Sequence, residues 1–436
     1  MQPLFFYMEQ QELIPHLFRT EFRKITAVLC KHFGIDHIEI AEDIASETFL
    51  SALETWTYKG IPANPTAWLY TVAKNKAKNL FTRNHIFTEK VVPEIRNDLT
   101  EYEEIEVDLS EKNITDSQLQ MLFAICHPSI SPEAQIGLSL RILCGFGIDE
   151  IATAFLTNKE TINKRLFRAK EKLRLEKVQI LPIDSANAQE EICNRLETVL
   201  TTLYLLFSEG YYSESKDTVL REDLCLEAMR LTYLLIENKE TNQPNVNALF
   251  SLMCFHASRF EARKNENGEI ILYNDQDETL WNQELISKGA FFLNQASQGT
   301  QISKYHIEAS IAYWHTIKED PKERKVDGGT PGKWENILQL YNRLLQLEYS
   351  PIAALNRTYA LSKVHGKKIA ITEAEKLKLI DNPFYFTLLG ELYTDLDNSK
   401  AKLHLQNALL LAKTQGDRHL IQKRLTDFEH VDQKAG

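Results

Sequence analysis

The chain has 436 residues, with 50 Lys and Arg against 61 Asp and Glu, a net charge of −11 at pH 7, and 43% hydrophobic and 25% charged residues. That length holds two or three domains of ordinary globular composition. A net-negative chain cannot coat nucleic acid non-specifically, because phosphate neutralisation needs Lys and Arg, so any contact with DNA must be local.

Only 16 Gly and 13 Pro punctuate the sequence, while Leu, Ala, Glu, Lys and Ile recur at helical spacing, which predicts a nearly all-α fold. No run approaches the roughly 18 apolar residues of a membrane span, and the N-terminus MQPLFFYMEQQELIPHLFRTEF lacks a basic start, apolar stretch and cleavage site. We therefore expect a cytoplasmic protein with no membrane partner. Cys30, Cys126, Cys144, Cys193, Cys225 and Cys254 form no CxxC pair, which argues against a zinc site or a disulfide framework. Neither a metal nor a cofactor is expected.

In chain order, Gln10 to Phe33 is a first amphipathic helix, ended by Gly34. Ile38 to Trp56 is the second, with Ala41, Ile44, Ala45, Phe49, Ala52, Leu53 and Trp56 on one face and Glu39, Glu42, Asp43, Glu47 and Glu54 outside it. Like charges at i,i+4 weaken a helix by a few tenths of a kcal/mol each, so this stripe is either a plain solvated face or a docking surface for a basic partner.

A loop, TYKGIPANPTA, leads to a third helix, AWLYTVAKNKAKNLFTRN, in which Lys74, Lys76, Lys78 and Arg83 stand among Tyr58, Trp68, Tyr70 and Phe81. Basic residues interleaved with aromatics suit a phosphate backbone and stacked bases; aromatic core residues beneath solvated lysines would leave the same pattern. Glu89 to Asp116, with Glu101, Glu103, Glu104, Glu106, Asp108 and Glu111, reads as an acidic linker.

Gly145 to Leu175 reads as two short helices around a turn at Thr157-Asn158. In the second, Ile162, Leu166, Ala169 and Leu173 form a buried stripe, which leaves Lys164, Arg165, Arg168, Lys170, Lys172 and Arg174 on the other faces. A short helix, a tight turn and a basic helix is how a helix-turn-helix enters the major groove, although a basic helix on an ordinary helical domain looks similar.

AEDIASETFLSALETW, PTAWLYTVAKNKAKNLF and SPEAQIGLSLRILCGFGIDEIATAFLTNKETINKRLFRAKEKL, in this order, resemble the σ2 and σ4 domains of extracytoplasmic-function (ECF) sigma factors of bacterial RNA polymerase. The resemblance implies a σ2 domain over residues 9–85, a linker over 86–115 and a σ4 helix-turn-helix over 116–178. It implies core RNA polymerase, through its β′ clamp and β flap, and promoter DNA as partners. Glu39, Glu42, Asp43 and Glu47 would dock on the clamp. The Lys59–Pro65 loop, including Asn64, would act with Trp68, Tyr70, Lys74, Asn75, Lys78 and Asn79 to recognise and open the minus-10 element. Glu160, Thr161, Lys164, Arg165, Phe167 and Arg168 would read the minus-35 element. No covalent chemistry, and so no catalytic residue, is implied.

Residues 186–436 continue in periodic helices: Leu196–Tyr212, Arg221–Glu237, Asn247–Arg263, Trp334–Leu347, Pro351–Val364, Asn382–Leu396 and Ser399–Lys413. Pro351 and Pro383 begin comparable helices 32 positions apart, close to the roughly 34-residue period of tetratricopeptide (TPR) arrays. YLLFSEGYYSES, REDLCLEAMRL, LYNDQDETLWNQELISKG, IEASIAYWHT and SPIAALNRTYAL resemble the long TPR-like extension of one ECF subgroup, which implies control of sigma activity by this part of the chain. The charge contrast also allows the extension to fold back over the σ2 or σ4 region.

Two other functions fit the residues. One is a helix-turn-helix regulator that never docks on polymerase; the other is an enzyme with its site around Glu209, Tyr211, Tyr212, Arg221 and Glu222. Asp327 to Lys333 lacks the Walker spacing and has Trp334 where Ser or Thr belongs, so it reads as a turn. Asp275, Asp277 and Glu278 lack the loop Gly of a calcium site and read as a polar helix start.

Overall fold

The computed structural model describes residues 2–91, 107–155, 157–183, 186–211, 221–263, 271, 273–317, 332–412 and 415–435. Among them every regular element is helical, as expected of an all-α chain, and they form two compact units, Met1–Leu205 and Leu206–Gly436.

The first unit is built from α1 (Gln2–Phe33), α2 (Ile38–Lys59), α3 (Pro65–Val91), α4 (Glu111–Ile125), α5 (Pro132–Leu138), α6 (Ile148–Ala154), α7 (Lys159–Leu175) and most of α8 (Ala186–Tyr211). Phe22, Ile25, Val28 and Leu29 recur at helical spacing on α1 and are fully buried, which makes this helix the centre on which α2, α3 and α4 pack. On α2, Ala41, Ile44, Ala45, Phe49, Ala52 and Trp56 are buried as their period predicts, whereas Leu53 is 46% exposed. Leu53 shares an open flank of the helix with Leu50, one turn earlier and itself 54% exposed.

Gly60 closes α2, returning its N–H to the Trp56 carbonyl, and Asn64 opens α3 by accepting the Ala67 N–H at 3.0 Å. Ser110 and Ser131 cap α4 and α5 in the same way. After α5 the chain widens into a π-helix, Ser139–Leu143, before the α6–α7 pair. The predicted acidic linker lies mostly outside the described residues. Asp108, near its end, accepts the Ser110 N–H and hydroxyl, which hold its carboxyl below the usual range.

The second unit holds α9 (Glu222–Glu237), α10 (Pro244–Ala257), α11 (Gln283–Ala296), α12 (Lys304–Thr316), α13 (Lys333–Leu347), α14 (Pro351–His365), α15 (Lys367–Leu377), α16 (Pro383–Tyr393), α17 (Asn398–Leu411) and α18 (Gln415–Ala435). Helix α10 is buried on nearly every side, by α9, α11 and α12. From α13 onward each helix packs on the next, giving a run of hairpins. Pro351 and Pro383 each sit in the first turn of a helix capped by Ser350 or Asn382, so the 32-residue spacing marks equivalent points.

The helix expected over Asn247–Arg263 ends at Ala257. The Ser258 hydroxyl donates to the Phe255 carbonyl at 2.8 Å and the Ser258 carbonyl accepts the Asn282 N–H at 2.8 Å, which peels the chain off the helix axis. Short 3₁₀ turns follow at Glu261–Arg263, Tyr273–Asp275 and Glu278–Leu280; Asp277 caps the last of them through the Thr279 N–H.

Candidate nucleic-acid and polymerase interface

The four carboxylates assigned to docking have unequal surroundings. Asp43 and Glu47 are exposed, and Glu47 accepts Lys76 Nζ of α3 at 3.1 Å. Glu39 is half-buried, with Arg174 Nη2 at 2.8 Å and Lys170 Nζ at 3.7 Å. Glu42 is only 8% exposed, and its two oxygens take Arg141 Nε at 2.7 Å and Lys170 Nζ at 2.5 Å. A carboxylate so enclosed is tolerable because two cations meet it; removing one partner from such a buried ion pair costs about 3–5 kcal/mol.

The minus-10 candidates divide in a similar way. Lys59, Lys74, Asn75, Lys78 and Asn79 are exposed along the loop and α3. Asn64 is exposed too, but its side chain is committed to capping α3. Trp68 packs edge-on against buried Trp56, with ring centroids 5.4 Å apart. Tyr70 points its hydroxyl inward, donating to Glu21 Oε2 of α1 at 2.6 Å, and burial together with that carboxylate drives its pKa upward. The phenol is therefore a permanent donor at any physiological pH.

In α7, Ile162, Leu166, Ala169 and Leu173 are the buried positions, as their spacing predicts. Asn158 caps the helix by accepting the Thr161 N–H at 2.8 Å. Glu160, Thr161, Lys164, Phe167 and Arg168 form an exposed face, in which the Phe167 side chain is left 62% open to solvent. Arg165 is half-buried, its guanidinium 5.3 Å from the centre of the Phe155 ring at the end of α6, which fixes its direction. Behind this pair, Gly137 of α5 lets Leu166 come so close that a Cβ there would lie 3.0 Å from Leu166 Cδ2.

What sequence reasoning missed is the set of cations that meet the acidic face: Arg141, Lys170 and Arg174. Lys170 and Arg174 stand four apart on α7, and Glu39 and Glu42 three apart on α2, so the two stripes match in pitch. That complementarity was the available signal.

In the second unit, the residues considered for an enzyme site pack into a cation–aromatic network. Tyr211 is 2% exposed beneath the Arg263 guanidinium, 3.8 Å from its ring centre, and its hydroxyl accepts from Arg259 at 3.2 Å. Arg221 pairs with Asp223 at 2.7 Å. His256 lies 4.6 Å from Tyr211 between ring centres, held neutral by burial and then by Arg259 and Arg263. Lys333 donates to the Tyr273 hydroxyl at 3.0 Å, whereas Tyr212 and Asp327 to Pro331 lie outside the described residues.

Residues 17–85, which span α1 from Leu17 through most of α3, match the family model of sigma-70 region 2. Residues 195–297 match a family of unknown function, DUF6596. No solved structure matches the chain. The chain thus carries a sigma-70 region 2 domain, which supports a sigma factor role in promoter recognition with core RNA polymerase. It belongs to the same family as "Uncharacterized protein R00370" of Rhizobium meliloti (strain 1021), with 30% identity over 393 residues, 89% of this chain and 90% of that protein.

Proposed function

We propose that the chain is an ECF-type sigma factor whose promoter recognition is divided between α1–α3 and α6–α7 and governed by the helical hairpins of its C-terminal unit. The observation that carries this is the region 2 match on three helices of opposite surface charge, an acidic α2 beside a basic α3. In this function Glu39, Glu42, Asp43 and Glu47 receive the β′ clamp. Lys59, Lys74, Asn75, Lys78 and Asn79 follow the minus-10 strand, with Trp68 and Tyr70 behind them and Asn64 setting the start of α3.

Helix α7 supports the second half of the function. Its exposed Glu160, Thr161, Lys164, Phe167 and Arg168, with Arg165 steadied on Phe155, give base-edge and phosphate contacts from one helix face. The core polymerase brings two weak DNA sites to a fixed separation, so they act through a high effective concentration. In the cytoplasm the C-terminal hairpins would supply the control that this chain carries for itself.

Run-off transcription with purified core polymerase on a genomic promoter library tests this directly. The wild-type chain should give promoter-specific transcripts that disappear with Asp43→Ala/Glu47→Ala, through docking, and with Lys164→Ala/Arg168→Ala, through DNA reading. Transcripts that survive both pairs would refute the assignment of these faces.

A further inference from the structure

Glu39 and Glu42 are already occupied. Lys170 and Arg174 come from the C-terminal half of α7, and Arg174 Nε also donates to the Asp36 carbonyl at 3.0 Å, just before α2. A second set of contacts backs the first. Arg19 of α1 pairs with Glu150 of α6 at 2.6 Å and lies 5.3 Å from the centre of the Phe146 ring, while Arg141 lies 5.3 Å from that of Phe22. Between the π-helix and α6 stands Gly145, with a left-handed φ of +75°, where a Cβ would sit 2.8 Å from the Arg19 carbonyl oxygen. Contacts from α1, α2, the π-helix, α6 and α7, a glycine with no room for a side chain against α1 and a buried carboxylate with two cations describe a made interface, not a chance collapse of charged surfaces.

We propose that α7 is an intramolecular substitute for polymerase: in the free chain its Lys170 and Arg174, with Arg141, take the carboxylates that the clamp would take. Docking and this contact then exclude each other at Glu39 and Glu42, while Asp43 and Glu47 stay exposed as a first foothold. The DNA-reading residues of α7 lie toward its N-terminal end, and all but the half-buried Arg165 are exposed in the closed chain, so the latch withholds docking and not the DNA face. The chemistry favours exchange over simple opening. Glu42 left bare inside the protein is costly, whereas a basic clamp offers it new cations as Lys170 leaves.

The latch rests on the sigma function proposed above only for the identity of the competitor, and one set of samples separates the two. In the full chain, Lys170→Gln/Arg174→Gln removes the latch cations without touching the residues assigned to DNA or docking; Lys172→Gln, whose lysine pairs with Glu176 on its own helix at 2.9 Å, is the control. Spin labels at Ser46→Cys on α2 and Leu175→Cys on α7, both exposed positions, report the distance between the halves by pulsed electron resonance, against singly labelled chains for native thiols.

We expect the double variant to lengthen that distance and to bind core polymerase about tenfold more tightly, as apparent affinity scales with the fraction of competent chain; Lys172→Gln should change neither. An unchanged distance, or unchanged or weaker polymerase binding with the distance lengthened, overturns the latch. If the double variant misfolds, Arg174→Gln alone, at a half-exposed site, carries the same prediction with a smaller change. Failure of wild type and variant alike to bind polymerase would instead overturn the docking function and with it the competition, and the distance would show whether the intramolecular contact stands without it.

Discussion

Replacing Tyr70 with Phe removes one oxygen and separates two roles for this residue, internal brace and DNA contact. The hydroxyl donates to Glu21 at 2.6 Å, and Glu21 is only 5% exposed, so water cannot readily replace the lost donor. A hydrogen bond to a charged group contributes about 1.5–3 kcal/mol. Glu21 keeps Lys24 Nζ at 2.9 Å on its other oxygen, which points to the lower part of that range, about 1.5–2 kcal/mol. Amide hydrogen exchange of the full chain measures this locally: the slowest amides of α1 and α3 should lose about ten- to thirtyfold in protection, with α9–α18 unchanged. Asn75→Ala, at an exposed position of the same helix, should leave protection intact. Unchanged protection in Tyr70→Phe together with a loss of promoter opening would refute the brace and make the phenol itself a DNA-contacting group.

Two further outcomes follow from the second unit. Gly289→Ala on α11 would place a Cβ 2.7 Å from Cε1 of Phe255, a ring that is 1% exposed and has nowhere to go. Overpacking of about 1–3 kcal/mol, offset by up to about 1 kcal/mol of helix propensity, should lower the calorimetric melting temperature of this unit; an unchanged or raised value would show that the α10–α11 contact yields. His315 is half-buried between Tyr273 and Trp334, and burial followed by the Arg259 and Lys333 cations pushes its pKa down to about 3. Unfolding lets it bind a proton, so the unfolded chain holds more protons below the ordinary histidine range, and stability must fall as pH falls. The slope from this residue is about 1.4 kcal/mol per pH unit between about pH 6.5 and 3, and His315→Phe should flatten it in urea titrations followed by hydrogen exchange in α12.

Much of the local structure could be read from residue patterns. Ile162, Leu166, Ala169 and Leu173 are buried because a 3.6-residue period leaves no other stable orientation for α7, and Asn64-Pro65 announces α3 by capping chemistry. Neighbouring Glu42 and Asp43 were not separable in the same way. They have the same charge one position apart, and what buries one of them is Arg141, 99 positions away, and Lys170, 128 away. Patterns within an element report which face turns inward; they do not report which distant side chain arrives there. The Tyr70 hydroxyl, 49 positions from its acceptor, escaped notice for the same reason. The turns at Glu261–Arg263 and Tyr273–Asp275 escaped it because a 3₁₀ turn of three residues leaves no period to detect.

The π-helix at Ser139–Leu143 gives the chain a length-sensitive setting. A π turn is an α-helix carrying a surplus residue, and Arg141 lies inside it. Deleting one residue between Ser139 and Arg141 while the turn keeps its width would move Arg141 back by one position, about 100° around the axis, and carry it off the line to Glu42. Such a change removes the buried Leu140 and alters no charge, and it resets how the two halves of the first unit meet. Among relatives, the number of residues between Ser131 and Gly147 should therefore vary less than the number in any other connection of comparable exposure. Where it does vary, the carboxylate at the position of Glu42 should be the first to be replaced.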